Sequence, residues 1–328
     1  MSAAPDKRPL VLVTGASGFI GHALVKRLSA DGRYRVRAAA RRALPDLDPK
    51  VEQVRVGDLG ANTSWDAALA GVDVVVHAAA RVHVMRERSV RALQLFRTVN
   101  VDGTLHMGRS AAAAGVRRLV FVSSIKVNGD STAPGRPFRP DDTPSPCDPY
   151  GISKREAEEG LRGLAGEAGM QVVIVRAPLV YGPGVKANFA SLMRLVRTGI
   201  PLPLGSIHNQ RTLVALDNLV DLLVTCIGHE AAANETFLAG DPEDLSTTEL
   251  MLRLGQALGR PARLIPIPQQ WVELAACSVG QREIAHRLCR SLQVDTRKAA
   301  TLLGWHPPLP VDVALRMTAS QFLASSGQ

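Results

Sequence analysis

A glycine-rich turn near the N-terminus constrains this chain more than any other feature of its sequence. The segment TGASGFIG begins at residue 14, follows the apolar, β-branched run Leu10–Thr14 and precedes an amphipathic stretch, Phe19–Ala30. In such a turn Gly15 permits a tight bend, Gly18 lets a pyrophosphate approach the backbone, and Gly21 lets helix and strand pack closely. The segment therefore predicts a strand, a dinucleotide-binding turn and a helix whose first N–H groups face the phosphates.

Beyond this turn, apolar strand-like runs alternate with helical patterns through the first half of the chain. Further strands are predicted at residues 34–39, 51–56, 72–77, 118–123 and 171–176, and helices at 90–114 and 153–168. Near-continuous apolar strands separated by helices are typical of a parallel sheet covered on both faces. The predicted fold class is therefore α/β, a doubly wound parallel sheet that binds ligands at the carboxyl ends of its strands.

The alternation loosens after residue 176, where prolines and glycines interrupt the chain before helical patterns return. This change predicts a smaller, mainly helical C-terminal lobe that binds the substrate. The expected division is a dinucleotide-binding domain at 1–176, to which a βα unit at about 212–228 returns, and a substrate-binding lobe built from 177–211 and 229–328.

Composition narrows the functional classes. The net charge is +9, but the basic residues are scattered and aromatic residues make up only 4% of the chain, so we expect no nucleic-acid partner. No N-terminal apolar segment of signal-peptide length and no apolar run long enough to span a membrane is present. The four cysteines show no C-x-x-C pairing, and no metal site is expected. The chain is therefore expected to be cytoplasmic, and its basic surface to attract an anionic small molecule.

Two arginines bear on the choice of dinucleotide. The second predicted strand ends in Ala39-Ala40-Arg41-Arg42, and no carboxylate follows until Asp46. A carboxylate at this place binds the ribose 2′-hydroxyl of NAD, whereas arginine suits the 2′-phosphate of NADP. The sequence thus predicts NAD(P)(H) as the cofactor and favours NADP(H). The alternative is that Arg41 and Arg42 are solvated loop charges that bind no phosphate.

A tyrosine and a lysine carry the candidate chemistry. In PYGISK, Tyr150 and Lys154 are four residues apart and would share one face of a helix. A nearby ammonium lowers the pKa of a phenol, so that Tyr150 can exchange a proton with a substrate oxygen while a hydride moves to or from a nicotinamide. Ser124, at the end of the fifth predicted strand, is placed to hydrogen-bond the same oxygen. The alternative is an amphipathic helix with an exposed lysine.

A set of motifs in order along the chain resembles the extended short-chain dehydrogenases/reductases, with a Rossmann-type fold, and in particular the NAD-dependent epimerase/dehydratase group. The motifs are TGASGFIG, VGDL at 56–59, HAAA at 77–80, NVDGT at 100–104, VSS at 122–124, YGISK at 150–154, VYGPG at 180–184 and LGW-x-P at 303–307. The stretch SSIKVNG followed by DPYGISK is similar to an epimerase-like subgroup that serves bacterial surface-polysaccharide pathways and includes reductases of UDP-4-keto-6-deoxy-N-acetylhexosamines.

The resemblance implies roles for individual residues. Ser124, Tyr150 and Lys154 would be catalytic, and Lys154 would also bind the nicotinamide ribose. The cofactor would be bound by Gly15, Ser17, Gly18, Phe19, Ile20, Gly21, Arg41, Asp58, Leu59, Ala78, Ala79, Ala80, Asn100, Tyr150 and Lys154.

The resemblance also implies substrate contacts. Asn188 and Arg211 would hold the nucleotide diphosphate of a UDP-sugar. A helix cap remains the alternative for Asn188, and an exposed salt bridge the alternative for Arg211. Asp217 is expected to cap the helix that follows it.

Three reactions share this scaffold: 4,6-dehydration, 4-epimerisation and ketone reduction. Dehydratases carry an Asp-Glu pair after the serine, but Ile125 and Lys126 stand there, and neither is the acid and base that elimination needs. Lys126 would lie beside the substrate or in solvent. The departures Val127-Asn128-Gly129 and Arg176-Ala177-Pro178-Leu179 from the epimerase pattern argue against a UDP-galactose 4-epimerase. Arg41 and Arg42, which suit NADPH, and the resemblance to the reductase-containing subgroup favour 4-keto reduction of a UDP-hexosamine. UDP-sugar 4-epimerisation is the alternative, and a catalytically silent NAD(P)-binding sensor is a further one.

The family resemblance extends to assembly. Related proteins form homodimers by packing two helices of each subunit into a four-helix bundle. The equivalent helices here are those predicted at 90–114 and 153–168, so a homodimer is possible.

Overall fold

The structure is a computed structural model that describes residues 6–82, 90–133, 135–278 and 280–326, without the side chains of residues 90, 91, 187, 188, 282, 283 and 326. Its described strands form one seven-stranded parallel sheet and a separate pair. The strands are β1 Leu10–Thr14, β2 Arg35–Ala40, β3 Glu52–Arg55, β4 Val74–His77, β5 Arg118–Ser124, β6 Gln171–Ala177, β7 Leu179–Tyr181, β8 Leu213–Ala215 and β9 Thr236–Leu238.

The helices pack on both faces of the sheet and make up most of the later chain. They are α1 Phe19–Asp31, α2 Asp66–Leu69, α3 Val90–Phe96, α4 Gly103–Ala113, α5 Pro149–Ala168, α6 Ala187–Thr198, α7 Leu216–Gly228, α8 Thr247–Ala257, α9 Gln269–Ser278, α10 Arg282–Cys289, α11 Arg297–Leu303 and α12 Val311–Ser326. None of these described helices combines the length and the apolarity that crossing a membrane requires.

The large sheet has the strand order β3-β2-β1-β4-β5-β6-β9. Chain order therefore reverses between β1 and β4, and in an open α/β sheet the crevice at such a reversal binds the ligand. Every residue of β1 and of β4 is buried, as expected for parallel strands covered on both faces. The predicted doubly wound α/β sheet is confirmed, and so is the mainly helical C-terminal region.

The prediction that a βα unit near 212–228 returns its strand to this sheet was wrong. β8 pairs in parallel with β7, away from the large sheet, whereas β9 pairs with β6 at the edge. Pro178 ends β6, since it has no N–H to continue the ladder, and the chain turns away to begin β7. Only the helix of the predicted unit reaches the large sheet, because α7 buries Leu219, Leu222 and Leu223 in the core beneath it.

Two helices differ from their predicted bounds. The helix predicted at 90–114 contains a π-helical segment, Arg97–Asp102, between α3 and α4. The helix predicted from residue 153 begins at Pro149, where the Asp148 carboxylate accepts a hydrogen bond of 2.7 Å from the Gly151 amide. An aspartate at the N-cap followed by proline in the first turn is a strong start signal that periodicity alone overlooks. The earlier start places Tyr150 in the first turn of α5.

The C-terminal lobe has its own apolar core, and a buried carboxylate hydrogen-bonds β7, β8 and α7 beside it. Tyr181 and Phe189 stack inside this core, with ring centroids 5.3 Å apart. The Tyr181 hydroxyl donates to Asp241 at 2.7 Å, and the same carboxylate accepts from the Ala215 amide and from the Asn218 side chain. Burial raises the pKa of both Tyr181 and Asp241. The expected division into a dinucleotide-binding domain and a substrate-binding lobe stays a prediction.

Candidate active site

The glycine turn has the geometry that the sequence predicts. Gly15 has a φ of +69°, and a Cβ placed there would lie 2.7 Å from the Ala79 amide nitrogen. A Cβ on Gly21 would lie 2.3 Å from the Gly15 carbonyl oxygen, so the third glycine lets α1 pack directly on the turn. Gly18 closes the turn by donating its N–H to the Gly15 carbonyl at 2.8 Å. The turn therefore needs glycine for its backbone conformation and for close approach of backbone to backbone.

The N-terminus of α1 is open at the crevice. Its N-cap is Gly18, which provides no side chain to cap the first-turn N–H groups of Phe19 and Ile20. Those donors have no intrahelical partner, and they carry the positive end of the helix dipole. Ser17 and Gly18 are exposed beside them. A turn that excludes side chains and an uncapped helix start together fit the pyrophosphate of a dinucleotide.

The loop after β4 borders this turn. Ala78, Ala79 and Ala80 are partly exposed there, and the loop is held by a buried amide from the π-helical segment. Asn100 accepts from the Arg81 amide at 2.8 Å and donates to the Arg81 carbonyl and to the Ser153 hydroxyl, both at 3.1 Å. These hydrogen bonds hold the loop in place, and the direct contact of Asn100 with the cofactor stays a prediction.

Three of the predicted cofactor-binding residues, Arg41, Asp58 and Leu59, follow β2 and β3. Arg41 donates to Asp58 at 2.9 Å in an exposed ion pair. The two side chains line a cleft of about 460 Å³ together with Arg55, and Leu59 lies next along the chain, partly buried. The structure thus gives Arg41 a carboxylate partner that the sequence did not predict.

Tyr150, Ser124 and Lys154 are brought together at the carboxyl end of β5. Tyr150 is half-buried with its ring edge against Phe96, and the neighbouring Ser124 side chain acts to lower its pKa. Lys154 is 2% exposed and donates to the Val122 carbonyl at 2.7 Å. The predicted exposed lysine, which was the alternative for this motif, is therefore wrong.

Burial shifts the pKa values of this pair in opposite directions. It raises the pKa of Tyr150 to about 12, with the Asp148 carboxylate adding to the effect and the hydrogen bond from Ser124 opposing it. It lowers the pKa of Lys154 to about 7, against the nearby Glu158 carboxylate, which favours the ammonium. Both shifts favour the uncharged form of the group, and the lowering of the Tyr150 pKa by the Lys154 ammonium that the sequence predicts is not seen.

Ile125 and Lys126, which follow Ser124, both pack against or bind other parts of the protein. Ile125 is buried, and the Lys126 ammonium pairs with Asp130 and, at 3.3 Å, with Asp148 at the N-cap of α5. Lys126 is therefore an ion-paired residue at the start of the helix that carries Tyr150. No carboxylate follows Ser124 directly, as the argument against dehydration requires.

Arg211 lies at the end of α10. One of its guanidinium nitrogens donates to the carbonyls of Arg287 and Arg290, each at 3.0 Å. Burial lowers the pKa of Arg211, and the neighbouring Arg287 charge acts in the same direction. The alternative of an exposed salt bridge is wrong, because these contacts are to backbone carbonyls beside a second cation.

Two other expectations concern helix starts. Asn188 is the second residue of α6, whose N-cap is Lys186, and the Asn188 side chain lies outside the described part of the structure. α7 begins at Leu216 with Ala215 as its N-cap, so the prediction that Asp217 caps this helix was wrong. Asp217 lies in the first turn instead, where its charge is favourable for the helix dipole.

One buried pair near the site was missed from the sequence. Glu158 and Arg176 form a buried ion pair of 2.7 Å, and Glu158 lies on α5, the helix that carries Tyr150 and Lys154. The available signal was a glutamate one helical turn after Lys154, a spacing that also fits an ordinary solvated helix face.

Comparison with known proteins agrees with this geometry. Residues 11–240 match the model of the NAD dependent epimerase/dehydratase family. The chain is 46% identical to a UDP-glucose 4-epimerase of Vibrio cholerae over 97% of both chains, and 30% identical to a UDP-glucose 4-epimerase of Mycolicibacterium smegmatis over 95% of this chain and 97% of that one. The solved structure of MoeE5 in complex with UDP-glucose and NAD is 27% identical, with a TM-score of 0.75 over 97% of this chain and 99% of MoeE5.

Proposed function

The chain belongs to the NAD-dependent epimerase/dehydratase family, and from this premise we propose that it is an NAD-dependent 4-epimerase of a UDP-sugar. One observation carries the chemistry: Ser124 ends β5, Tyr150 lies close to it in the first turn of α5, and the buried Lys154 follows one turn later on the same helix. The 46% identity to a UDP-glucose 4-epimerase over nearly the full length of both chains supports the choice of reaction.

The residues present divide the work of such a reaction. The first N–H groups of α1 and the glycine turn would bind the pyrophosphate, and Lys154 would contact the nicotinamide ribose. A nicotinamide bound there supplies the acceptor and donor of a hydride. Tyr150 would take the proton of the sugar 4-hydroxyl during oxidation and return one during reduction, and Ser124 would hydrogen-bond the same oxygen. Since burial and the Asp148 carboxylate raise the pKa of Tyr150 to about 12, the reaction needs a positive charge from Lys154 to favour the phenolate.

Arg211 supports a diphosphate-containing substrate. Its guanidinium is fixed by two backbone carbonyls next to Arg287, and the two like charges repel one another. A diphosphate placed there would relieve this repulsion and accept charge-assisted hydrogen bonds. We include Asn188 in the same subsite on the family resemblance.

The sequence favoured 4-keto reduction, whereas the relatives favour epimerisation. The cofactor bears on this choice, because an epimerase keeps its dinucleotide and a reductase exchanges it at each turnover. The Arg41–Asp58 ion pair weakens the argument for a 2′-phosphate, since it places a carboxylate beside the arginine in the same cleft. We therefore place NAD before NADP. The homodimer stays a prediction.

Product analysis separates the two reactions. The purified protein is incubated with UDP-glucose or UDP-N-acetylglucosamine and a substoichiometric amount of NAD⁺, and the sugar signals are followed by proton NMR. The proposal predicts that the C4 epimer accumulates to equilibrium without net formation of NADH. Failure to epimerise either sugar, together with stoichiometric NADPH consumption on a UDP-4-keto sugar, would establish the reductase.

A further inference from the structure

A charged network lies buried behind the catalytic residues. Glu158 is fully buried and Arg176 is 1% exposed. Arg176 binds the Glu158 carboxylate through two nitrogens, with the shortest contact at 2.7 Å, and donates from its third to the Asn128 side chain at 2.9 Å. The Ser123 hydroxyl donates to the other Glu158 oxygen at 2.5 Å. Each hydrogen-bonding atom of the carboxylate therefore has a partner inside the protein.

This network touches each element that carries a catalytic residue. Ser123 directly precedes Ser124 on β5, and Glu158 lies one turn after Lys154 on α5. Asn128 ends the short turn that follows Ser124. Arg176 lies on β6, opposite Ser123 in the pairing of β6 with β5, and its side chain binds Glu158 and Asn128.

Stability alone does not explain such a pair. Taking two charges out of water costs several kcal/mol per ion, and well-packed apolar residues of the same volume are often as stable or more stable. A buried carboxylate one helical turn from an ammonium, however, favours the charged form of that ammonium.

We propose that the Glu158–Arg176 pair is a positioning element of the active site, which sets the charge around Lys154 and through it the protonation of Tyr150. The proposal deepens the function proposed above and rests on it for its catalytic meaning. Glu158 lies one turn after Lys154 on α5 and its charge favours the ammonium, while Arg176 holds this carboxylate in place and partly offsets its charge. Both residues are buried and bind side chains of β5, α5 and the turn after β5, so their effect on the reaction would pass through Lys154.

Other charged groups face the pair from neighbouring elements. His77 approaches Lys154 from β4, and the proximity of the ammonium helps to keep this imidazole neutral. Asp148 faces Tyr150 from the start of α5 and is itself paired with Lys126. Arg162 approaches Glu158 at 3.4 Å from the next turn of α5. These groups are unchanged in the variants below, so differences between variants report on Glu158 and Arg176 alone.

The test uses opposite charge changes at the two partners. Glu158→Gln removes a negative charge and Arg176→Met removes a positive one, although both break the same ion pair. The proposal predicts that the pKa of Lys154 falls by about one unit or more in the first variant, the size expected for a unit charge within ~12 Å at an effective dielectric constant of ~20. In the second variant the pKa rises. Glu159→Gln, which removes an exposed carboxylate from the same helix, is the matched control and leaves it unchanged.

The pKa of Lys154 is read in the absence of substrate, from the pH dependence of its ε-carbon NMR signal in protein labelled with ¹³C-lysine. The chain contains few lysines, and Lys154→Arg identifies the signal. A merely structural pair predicts another pattern: either substitution lets water in, and the pKa of Lys154 rises towards its ordinary value in both. Shifts in the same direction, or no shift in Glu158→Gln beyond the control, would overturn the proposal.

Two further readouts complete the experiment. The pH profile of kcat is expected to move with the NMR pKa, while KM for the UDP-sugar stays the same. If Glu158→Gln does not fold, Arg176→Met is compared with Arg176→Lys, which keeps the positive charge: the proposal predicts that the pKa of Lys154 rises in the methionine variant only, and an equal rise in both, or none in the methionine variant, overturns it. If the wild-type protein turns over no sugar nucleotide, the proposed function fails, whereas the NMR titration still decides whether the pair controls Lys154.

Discussion

Substituting alanine at the two ends of α1 separates backbone strain from loss of the cofactor turn. Gly15 and Gly32 have nearly the same left-handed conformation, with φ values of +69° and +65°. An alanine in this region costs roughly 1–2 kcal/mol at either position. A Cβ at Gly32 meets nothing within 4 Å. A Cβ at Gly15 would lie 2.7 Å from the Ala79 nitrogen, which is shorter than an ordinary van der Waals contact of 3.4 Å. Backbone must therefore move by about 0.7 Å, and overpacking of this kind adds about 1–3 kcal/mol.

Gly15→Ala is thus expected to lose about 2–5 kcal/mol of unfolding free energy, and Gly32→Ala about 1–2 kcal/mol. Denaturant unfolding measures both values, and calorimetric titration with NAD⁺ measures the affinity. Because the displaced Ala78–Ala79 backbone borders the crevice, Gly15→Ala is also expected to weaken NAD⁺ binding at least about tenfold, the equivalent of 1.4 kcal/mol. Gly32→Ala should bind NAD⁺ normally. Equal stability losses with equal NAD⁺ affinities in the two variants would refute the assignment of the turn.

Two further predictions concern His77 and Arg211. His77 is buried between the Thr14 and Thr104 hydroxyls, and burial lowers its pKa from 6.5 to about 3. The unfolded chain therefore binds this proton first as the pH falls, and stability is lost from pH 6.5 down to about 3, by at most about 1.4 kcal/mol per pH unit. His77→Gln should flatten the dependence of unfolding free energy on pH in this window, and an unchanged slope would show that His77 is not responsible. Arg211→Met should weaken UDP binding at least about tenfold by calorimetry, because charge-assisted hydrogen bonds contribute about 1.5–3 kcal/mol, while NAD⁺ binding stays the same. Unchanged UDP affinity would remove Arg211 from the substrate site.

The sequence was sufficient for those parts of the site that depend on local chemistry. The turn from Gly15 to Gly21 needs glycine for reasons of backbone geometry, and these reasons are visible as spacing. The four-residue separation of Tyr150 and Lys154 places them on one helix face wherever the helix lies. The near-continuous apolar character of the central strands was enough to predict the large parallel sheet, because such strands are typical of a sheet covered on both faces.

The remaining features depend on contacts between distant parts of the chain. Whether β8 joins the large sheet or pairs with β7 is decided by where Pro178 turns the chain, and periodicity within β8 carries no trace of it. The Glu158–Arg176 pair is similar: each residue alone resembles an ordinary surface charge, and only the pairing of β5 with β6 buries them against each other. The carboxylate partner of Arg41 was likewise out of reach, since Asp58 follows a different strand.

The central claim is that Tyr150 transfers the proton of the sugar hydroxyl beside a nicotinamide held by the glycine turn. Tyr150→Phe tests it most directly, because the variant keeps the ring against Phe96 and removes only the hydroxyl. With the UDP-sugar that the wild-type protein epimerises, kcat is expected to fall by roughly 10²–10⁴-fold, the usual contribution of a positioned proton-transfer group, with NAD⁺ and UDP affinities unchanged. Turnover by Tyr150→Phe at the wild-type rate would contradict the account.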